Sequence, residues 1–262
     1  MDAALLDAFR RCRDDPSADE GRVAALVAGV LDEGLDPERV ESELQRLASL
    51  CSERVTPWQY LSELGFTGNS DDYGALDNSN LARVLRSRRG IPITLGVVLI
   101  RVARVAGHRA VGINFPGHFV VEVDDVMVDP FALKPLDRAQ LLERLPPAAR
   151  RLPSRTLFAP ASTVAVGLRM LNNVKLIFSS RSAWDRTLDV LDAQLALAPD
   201  QAALHLERGE VWRHLGSVGK AREAFERALE LTESMEAAEA EPVRQAVHAR
   251  LSELAGIDDT LH

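Results

Sequence analysis

Between Ile91 and Gly107 the chain reads IPITLGVVLIRVARVAG, apolar nearly all round, with only Thr94, Arg101 and Arg104 polar. Pro92 suits a first helical turn and Gly107 a helix end, so the spacing predicts a helix from Pro92 to Ala106 that is buried on every side. Directly after it the hydrophobic period falls from that of a helix to that of a strand. RAVGINF (109–115), HFVVEV (118–123) and VMV (126–128) read as short strands. A buried helix followed by a small antiparallel sheet leaves few fold classes open, and the reading is α+β.

The strand segment also carries chemistry. Phe115-Pro116-Gly117-His118 has Pro at the second turn position and Gly at the third, the type II signature. Asp124 and Asp125 fit a two-residue hairpin loop. With that loop Val123 pairs with Val126, Val120 faces Asp129, and His118 becomes the diagonal neighbour of Asp129. Diagonal Cβ atoms lie roughly 7–8 Å apart, within reach of an imidazole–carboxylate hydrogen bond. A one-residue slip would put the pair on opposite faces. A carboxylate on Nδ1 fixes the imidazole tautomer, the orienting role in a nucleophile–His–Asp triad. The plain alternatives are mutual satisfaction of the two groups, or Asp129 capping the turn at Pro130.

Upstream the chain is helical. Ser17 with Glu20 is a capping-box pattern opening a helix from Gly21 to Glu33, and Asp36-Pro37 is an N-cap with Pro in the first turn. The second of these helices carries Val40, Leu44, Leu47 and Cys51 on one stripe, which makes Cys51 a core hydrophobe. Residues 66–90 turn to Gly, Asn, Ser and Asp, a loop with a short helix near Leu81 to Leu85. Arg86, Arg88 and Arg89 read first as solvated or salt-bridge donors, with Asp71, Asp72 and Tyr73 close in sequence. Residues 146–160, PPAARRLPSRTLFAP, set the expected boundary, with one domain over 1–150 and a second over 151–262. WDRTLDVLDAQLALAPD (184–200) and GKAREAFERALEL (219–231) share the small–large alternation of tetratricopeptide helices at a period of about 34 residues, with Ala224 and Ala228 allowing close approach.

Composition excludes several functions. Asp and Glu number 39 against 31 Lys and Arg, a net charge of −8, so general nucleic-acid or anionic-membrane binding is not expected. No apolar run approaches the roughly 20 residues of a membrane span. The first residues lack the apolar core of a signal peptide, and two cysteines without metal or disulfide spacing fit a reduced, cytoplasmic setting. The histidines show no ligand spacing and no glycine-rich phosphate loop is present, so no metal and no cofactor are expected.

The run NSNLARVLRSRRGIPITLGVVLIRVARVAGHRAVGINFPGHFVVEV, continued by VDPF, resembles the bacterial SirB-type branch of the transglutaminase-like superfamily, and the preceding FTGNSDDYGALDNSN and the repeat tail are similar to it as well. The resemblance covers roughly residues 30 to 255 and implies a papain-like core in which a Cys opens a buried helix and a His and an Asp follow on successive strands. It places His118 and Asp129 on the His and Asp positions. Asn78, Arg88, Arg89 and Thr94 are the candidate binding residues. The slot for the nucleophile holds Ile91, Pro92, Ile93 and Thr94, none a thiol. An internal threonine needs a base close by to attack anything, and the expected role of Thr94 is a backbone hydrogen bond in the first turn. The implied function is a protein-binding or regulatory module, working through the cleft or the helical groove. The alternative is a hydrolase or acyl-transferase using His118 with water, Thr94 or a displaced Cys.

Overall fold

The computed structural model describes residues 1–52 and 54–260. Four helices open the chain: α1 (Ala3–Asp14), α2 (Glu20–Leu31), α3 (Pro37–Ala48) and α4 (Pro57–Glu63). A two-residue strand β1 (Thr67–Gly68) pairs in parallel with β2 (Arg89–Gly90), and between them lie a 3₁₀ turn (Leu76–Ser79) and α5 (Leu81–Ser87). Then come the apolar helix α6 (Pro92–Val105) and the strands β3 (Ala110–Ile113), β4 (Val120–Val123), β5 (Val126–Asp129) and β6 (Lys134–Pro135). These four form one antiparallel sheet in the order β3-β4-β5-β6. The helices α7 (Arg138–Glu143), α8 (Ser154–Leu157) and α9 (Thr163–Ser180) follow.

The α+β reading holds, and α6 is buried on all sides from Ile93 to Ile100. The hairpin register is as expected: Val123 opposes Val126, Glu122 opposes Met127 and Val121 opposes Val128. Asp124 takes the left-handed conformation (φ 51) that such a tight loop demands, which Asp tolerates better than most residues. Gly117 has φ 79 and the His118 amide donates to Phe115 O at 2.9 Å, so the Pro-Gly turn is type II.

Two local expectations fail for visible reasons. Ser17 does not cap α2, because Asp15 Oδ1 accepts both its amide (2.8 Å) and its hydroxyl (2.6 Å). Asp19 is the cap instead, accepting from the Arg22 amide at 3.1 Å. Cys51 is not on the α3 stripe. Ser49 ends that helix, its amide donating to Gln45 O and its hydroxyl to Arg46 O, and Cys51 lies in the half-buried turn beyond.

The polar residues of α6 are what register it against α2. Arg104 donates to both Glu20 oxygens (2.7 and 3.0 Å) and through Nε to Ala110 O, while Arg101 bonds Asp19 at 2.6 Å. The Glu20 side chain is only 6% exposed. One fork therefore ties α2, α6 and the entry to β3.

The chain divides into compact units at 174/175, within α9, rather than at 150/151. The proline-rich segment belongs to the first unit because its apolar residues complete the sheet's core. Leu145, Ala149 and Leu157 pack with Ile113, Phe115, Val120, Met127 and Leu141. Pro160 bridges to Ile113, and the Ala161 amide donates to Gly112 O at 2.8 Å, extending the open edge of β3. The second unit holds the antiparallel helices α10 (Trp184–Leu197), α11 (Ala202–His214), α12 (Val218–Leu231) and α13 (Ala237–Thr260). Ala221, Ala224 and Ala228 are buried, and the Phe225 ring occupies the space over Gly209, where a Cβ would lie 2.4 Å from it. The acidic stretch Glu233 to Glu241 runs from a 3₁₀ turn (Thr232–Ser234) into the first residues of α13.

Removing one partner of a buried ion pair typically costs about 3–5 kcal/mol. Arg104→Ala is expected to lower the thermal midpoint by roughly 6–20 °C at the ~2–4 °C per kcal/mol of a unit this size, read by circular dichroism. The double change Glu20→Gln with Arg104→Met should recover much of that loss. An unchanged midpoint in Arg104→Ala would show the fork to be energetically idle.

Candidate functional site

One cleft of about 290 Å³ gathers the sequence-predicted pair at the N-terminal end of α6. Tyr73, Pro92, Gly117, His118, Phe119, Val120, Asp129, Phe131, Leu136 and Arg144 line it. Its geometry follows from a single ring. A Cβ built on Gly96 of α6 would sit 2.5 Å from the Phe119 ring, and one on Gly112 of β3 also 2.5 Å from it. Phe119 thus fills the space that two glycines leave open, fixing the first turns of α6 against the start of β4. His118, the preceding residue, emerges beside Pro92.

A second ring builds the opposite wall. Phe131 follows Asp129-Pro130 and covers Gly68, whose Cβ would lie 2.4 Å from it, while the Gly68 amide donates to Phe131 O at 2.9 Å. Tyr73 packs on Phe131 with ring centres 5.9 Å apart. Asn78 shapes the loop that carries Tyr73. Its amide donates to Asp72 O (2.7 Å) and Tyr73 O (3.1 Å), and its oxygen accepts from Asn69 Nδ2 (2.9 Å). With those bonds made and 2% of the residue exposed, Asn78 pins the loop from inside.

His118 and Asp129 share the cleft and are both half-buried, but the expected imidazole–carboxylate bond is not formed among the described residues. Asp129 Oδ1 instead accepts from the amides of Phe131 (2.8 Å) and Ala132 (3.4 Å). Pairing of β4 with β5 stops at Val121–Val128, and the Pro-Gly turn on one side and the Pro130 turn on the other lead the two chains apart. Asp129 caps its own turn, and the imidazole has no polar side-chain partner among the described residues.

The other candidates lie elsewhere. Arg88 is left-handed (φ 60) at the end of α5 and donates to Leu64 O, and Arg89 pairs with Asp71 at 2.9 Å on the surface. Neither lines the cleft; both are the salt-bridge and loop donors of the simpler reading. Thr94 is fully buried, and its hydroxyl makes no hydrogen bond among the described residues. The expected backbone bond in the first turn is therefore absent, and Thr94 does not line the cleft either.

Sequence reasoning missed Tyr73, Phe119, Phe131, Leu136, Arg144 and Arg169. Phe119 and Phe131 were legible in principle, each beside a residue already singled out, with glycines spaced to receive them. Arg169 of α9 carried no signal. Its Nη1 donates to Asn114 Oδ1 (3.4 Å) and to Phe115 O (3.3 Å), the carbonyl that also accepts the His118 amide. The guanidinium lies 5.9 Å from the Phe119 ring centre, and burial lowers its pKa from the usual arginine value. It holds the back of the turn that presents His118.

Neither thiol lines the cleft. Cys12 is buried in α1, and burial pushes its pKa up to about 11; burial raises Cys51 as well. Among the described residues no group of three His, Cys, Asp or Glu side chains could hold a metal ion.

A His and an Asp from a β-hairpin, set at the start of a buried helix, define the cleft of a transglutaminase-like protein. The transglutaminase-like superfamily model matches residues 37–172 and a tetratricopeptide repeat model residues 174–251. The chain belongs to the transglutaminase-like superfamily and carries a tetratricopeptide-like region after that domain. It is 34% identical to the UPF0162 protein of Xylella fastidiosa (strain 9a5c), over 74% of this chain and 73% of that one. It is 24% identical to protein SirB1 of Salmonella typhimurium, over 85% and 88% of the two chains. It is 29% identical to F-box only protein 21 of Mus musculus, over 59% of this chain and 26% of the mouse protein. No solved structure matches.

Two outcomes check this geometry. Gly96→Ala should displace the Phe119 ring and destabilise the fold by about 1–3 kcal/mol, with the His118 imidazole resonances shifting in NMR spectra. Unshifted resonances would detach His118 from that wedge. Because the thiolate is the reacting form, raised pKa values slow alkylation at neutral pH. Iodoacetamide should label native protein slowly at both sites, the rate at Cys12 climbing with pH up to about 11. Fast labelling of Cys51 at pH near 7 would overturn its assignment as inert.

Proposed function

We propose that this chain is a non-catalytic, cytoplasmic protein-binding module of the bacterial SirB type, which keeps the transglutaminase-like cleft without its nucleophile. The observation that carries the reading is Pro92 in the lining of the cleft beside His118 and Asp129. The position facing the pair at the helix start, where the superfamily uses a thiolate stabilised by the helix end, is filled by Pro92 and Ile93. The two thiols the chain possesses lie on α1 and after α3, with raised pKa values. Asp129 is committed to backbone amides and is not orienting the imidazole. What the cleft offers is a wall of Tyr73 and Phe131, an imidazole, and the exposed Arg144. That suits an extended peptide that presents one apolar and one polar group. The repeat region adds a second surface of the kind helical repeats use for partner peptides. The reduced thiols support the cytoplasmic assignment, and no helix among the described residues is long and apolar enough to cross a membrane.

One observation favours an enzyme. The His118 imidazole has no polar side-chain partner among the described residues, as suits a general base that works on water. The two readings separate cleanly. With a photo-crosslinking phenylalanine analogue at Tyr73, the module reading expects a discrete protein adduct from cells, kept in a His118→Ala background. It also expects no turnover of fluorescent casein or of glutamine-donor peptides by the wild-type protein. Turnover that vanishes in His118→Ala at an unchanged thermal midpoint would replace it with the hydrolase or acyl-transferase reading.

A further inference from the structure

The cleft that holds His118 carries positive charge that the fold leaves unspent. Arg144, in its lining, is exposed, and no carboxylate pairs with it among the described residues. Arg169 lies behind the Phe119 ring, 5.9 Å from its centre. It uses Nη1 alone, on Asn114 Oδ1 and Phe115 O, both neutral acceptors. Its Nε and Nη2 have no partner among the described residues and are not sealed from solvent. Burial lowers the Arg169 pKa, and the Tyr73 phenol of the cleft wall acts on it in the opposite sense. A partly buried cation without a counter-ion carries a desolvation cost that an anionic ligand would offset.

Asp129 is the one carboxylate in the lining, and its charge is already met. Two backbone amides donate to it, and Lys134 stands opposite it in the β5–β6 pair, with its side chain on the same face. The start of α6 adds to the same sign, because Pro92 opens that helix into the cleft and Ile91 before it caps no amide with its side chain. On a chain with net charge −8 this is a local reversal of sign. Beside the cations the walls are apolar: the Tyr73 and Phe131 rings lie 5.9 Å apart, and Leu136 completes the lining.

We infer that the cleft binds the free C-terminus of a partner polypeptide, its carboxylate held by Arg144 and the His118 ring and its last, apolar side chain set against Tyr73 and Phe131. Arg169 contributes its charge from behind Phe119. The inference rests on the protein-binding reading above and names what the partner presents. A site of this kind calls for a carboxylate and an apolar side chain close together, and the last residue of a chain supplies both from one Cα. The guanidinium fork of Arg144 matches a carboxylate in two parallel hydrogen bonds. A cleft of about 290 Å³ is at the small end of ligand sites and takes a chain end more readily than a long segment.

The test is fluorescence anisotropy with the full chain and short peptides, labelled with fluorescein at the N-terminus and ending in a free Leu, Val or Phe. Micromolar binding of at least one is expected, weakening as salt rises. The same peptide with an amidated C-terminus should bind at least about tenfold more weakly, the equivalent of ~1.4 kcal/mol. Arg144→Glu should lose as much at an unchanged thermal midpoint, since that side chain makes no ion pair among the described residues. Arg169→Gln keeps a donor for Phe115 O while removing the charge, and should weaken binding by a smaller factor. Absence of wild-type binding to every peptide, equal binding of acid and amide, or binding indifferent to both variants would overturn the proposal. So would an amidated peptide with an internal Glu-Leu pair competing as well as the free acid, because the carboxylate would then come from a side chain. If these arms fail while the Tyr73 crosslink still captures its partner, the C-terminus inference falls alone; loss of that crosslink as well removes the module reading.

Discussion

The Phe119 ring, lodged where neither Gly96 nor Gly112 has a side chain, is the contact on which the arrangement of the first unit depends. Interiors pack to crystal-like density, so a ring of this size enters a helix–sheet contact only if the sequence removes matter on both sides. Two glycines do so, one on each element. The consequence is positional. With the ring fixed, the next residue toward the N-terminus has little choice of place, and that residue is His118. The type II turn behind it, held at Phe115 O by the Arg169 guanidinium, removes what freedom remains. Phe131 over Gly68 repeats the device on the other wall. Each wall of the cleft is thus a ring packed over a glycine.

Rigidity also explains why charge sits where it does. An all-round apolar helix such as α6 has no intrinsic rotational preference among apolar neighbours. Arg101 and Arg104 supply one, because their forked donors must meet Asp19 and Glu20 at the start of α2. Burying Glu20 is favourable only with both of its oxygens satisfied. The pair contributes specificity of orientation more than net stability, and it aims the N-terminal turn of α6 at the hairpin.

Much of this was readable from residues alone, and the limits have physical causes. The hairpin register followed from a two-residue loop and the alternation of Val121, Val123, Val126 and Val128, because a slip would expose an entire apolar face. The all-round burial of α6 followed from its composition. The fate of Asp129 did not, since a carboxylate two residues before an amide in a turn competes on equal terms with a cross-strand imidazole, and local geometry decided for the turn. Ser17 lost its capping role to the same kind of local competition, in which Asp15 was nearer. Cys51 was misplaced because a helical stripe gives no warning of where the helix stops, and Ser49 stops it. Arg169 was invisible: its partners lie more than fifty positions away in sequence and no period connects them.

The cleft rests on elements of two kinds. The elements that would be costly to rebuild, the ring between glycines and the ion-pair fork, are structural and survive whatever stands at the helix start. Pro at the first helical position is favourable because its missing N–H is one the helix does not use, so Pro92 stabilises the start of α6. Asp129 gives its carboxylate to two backbone amides, and the His118 imidazole stands in the cleft without a polar side-chain partner among the described residues.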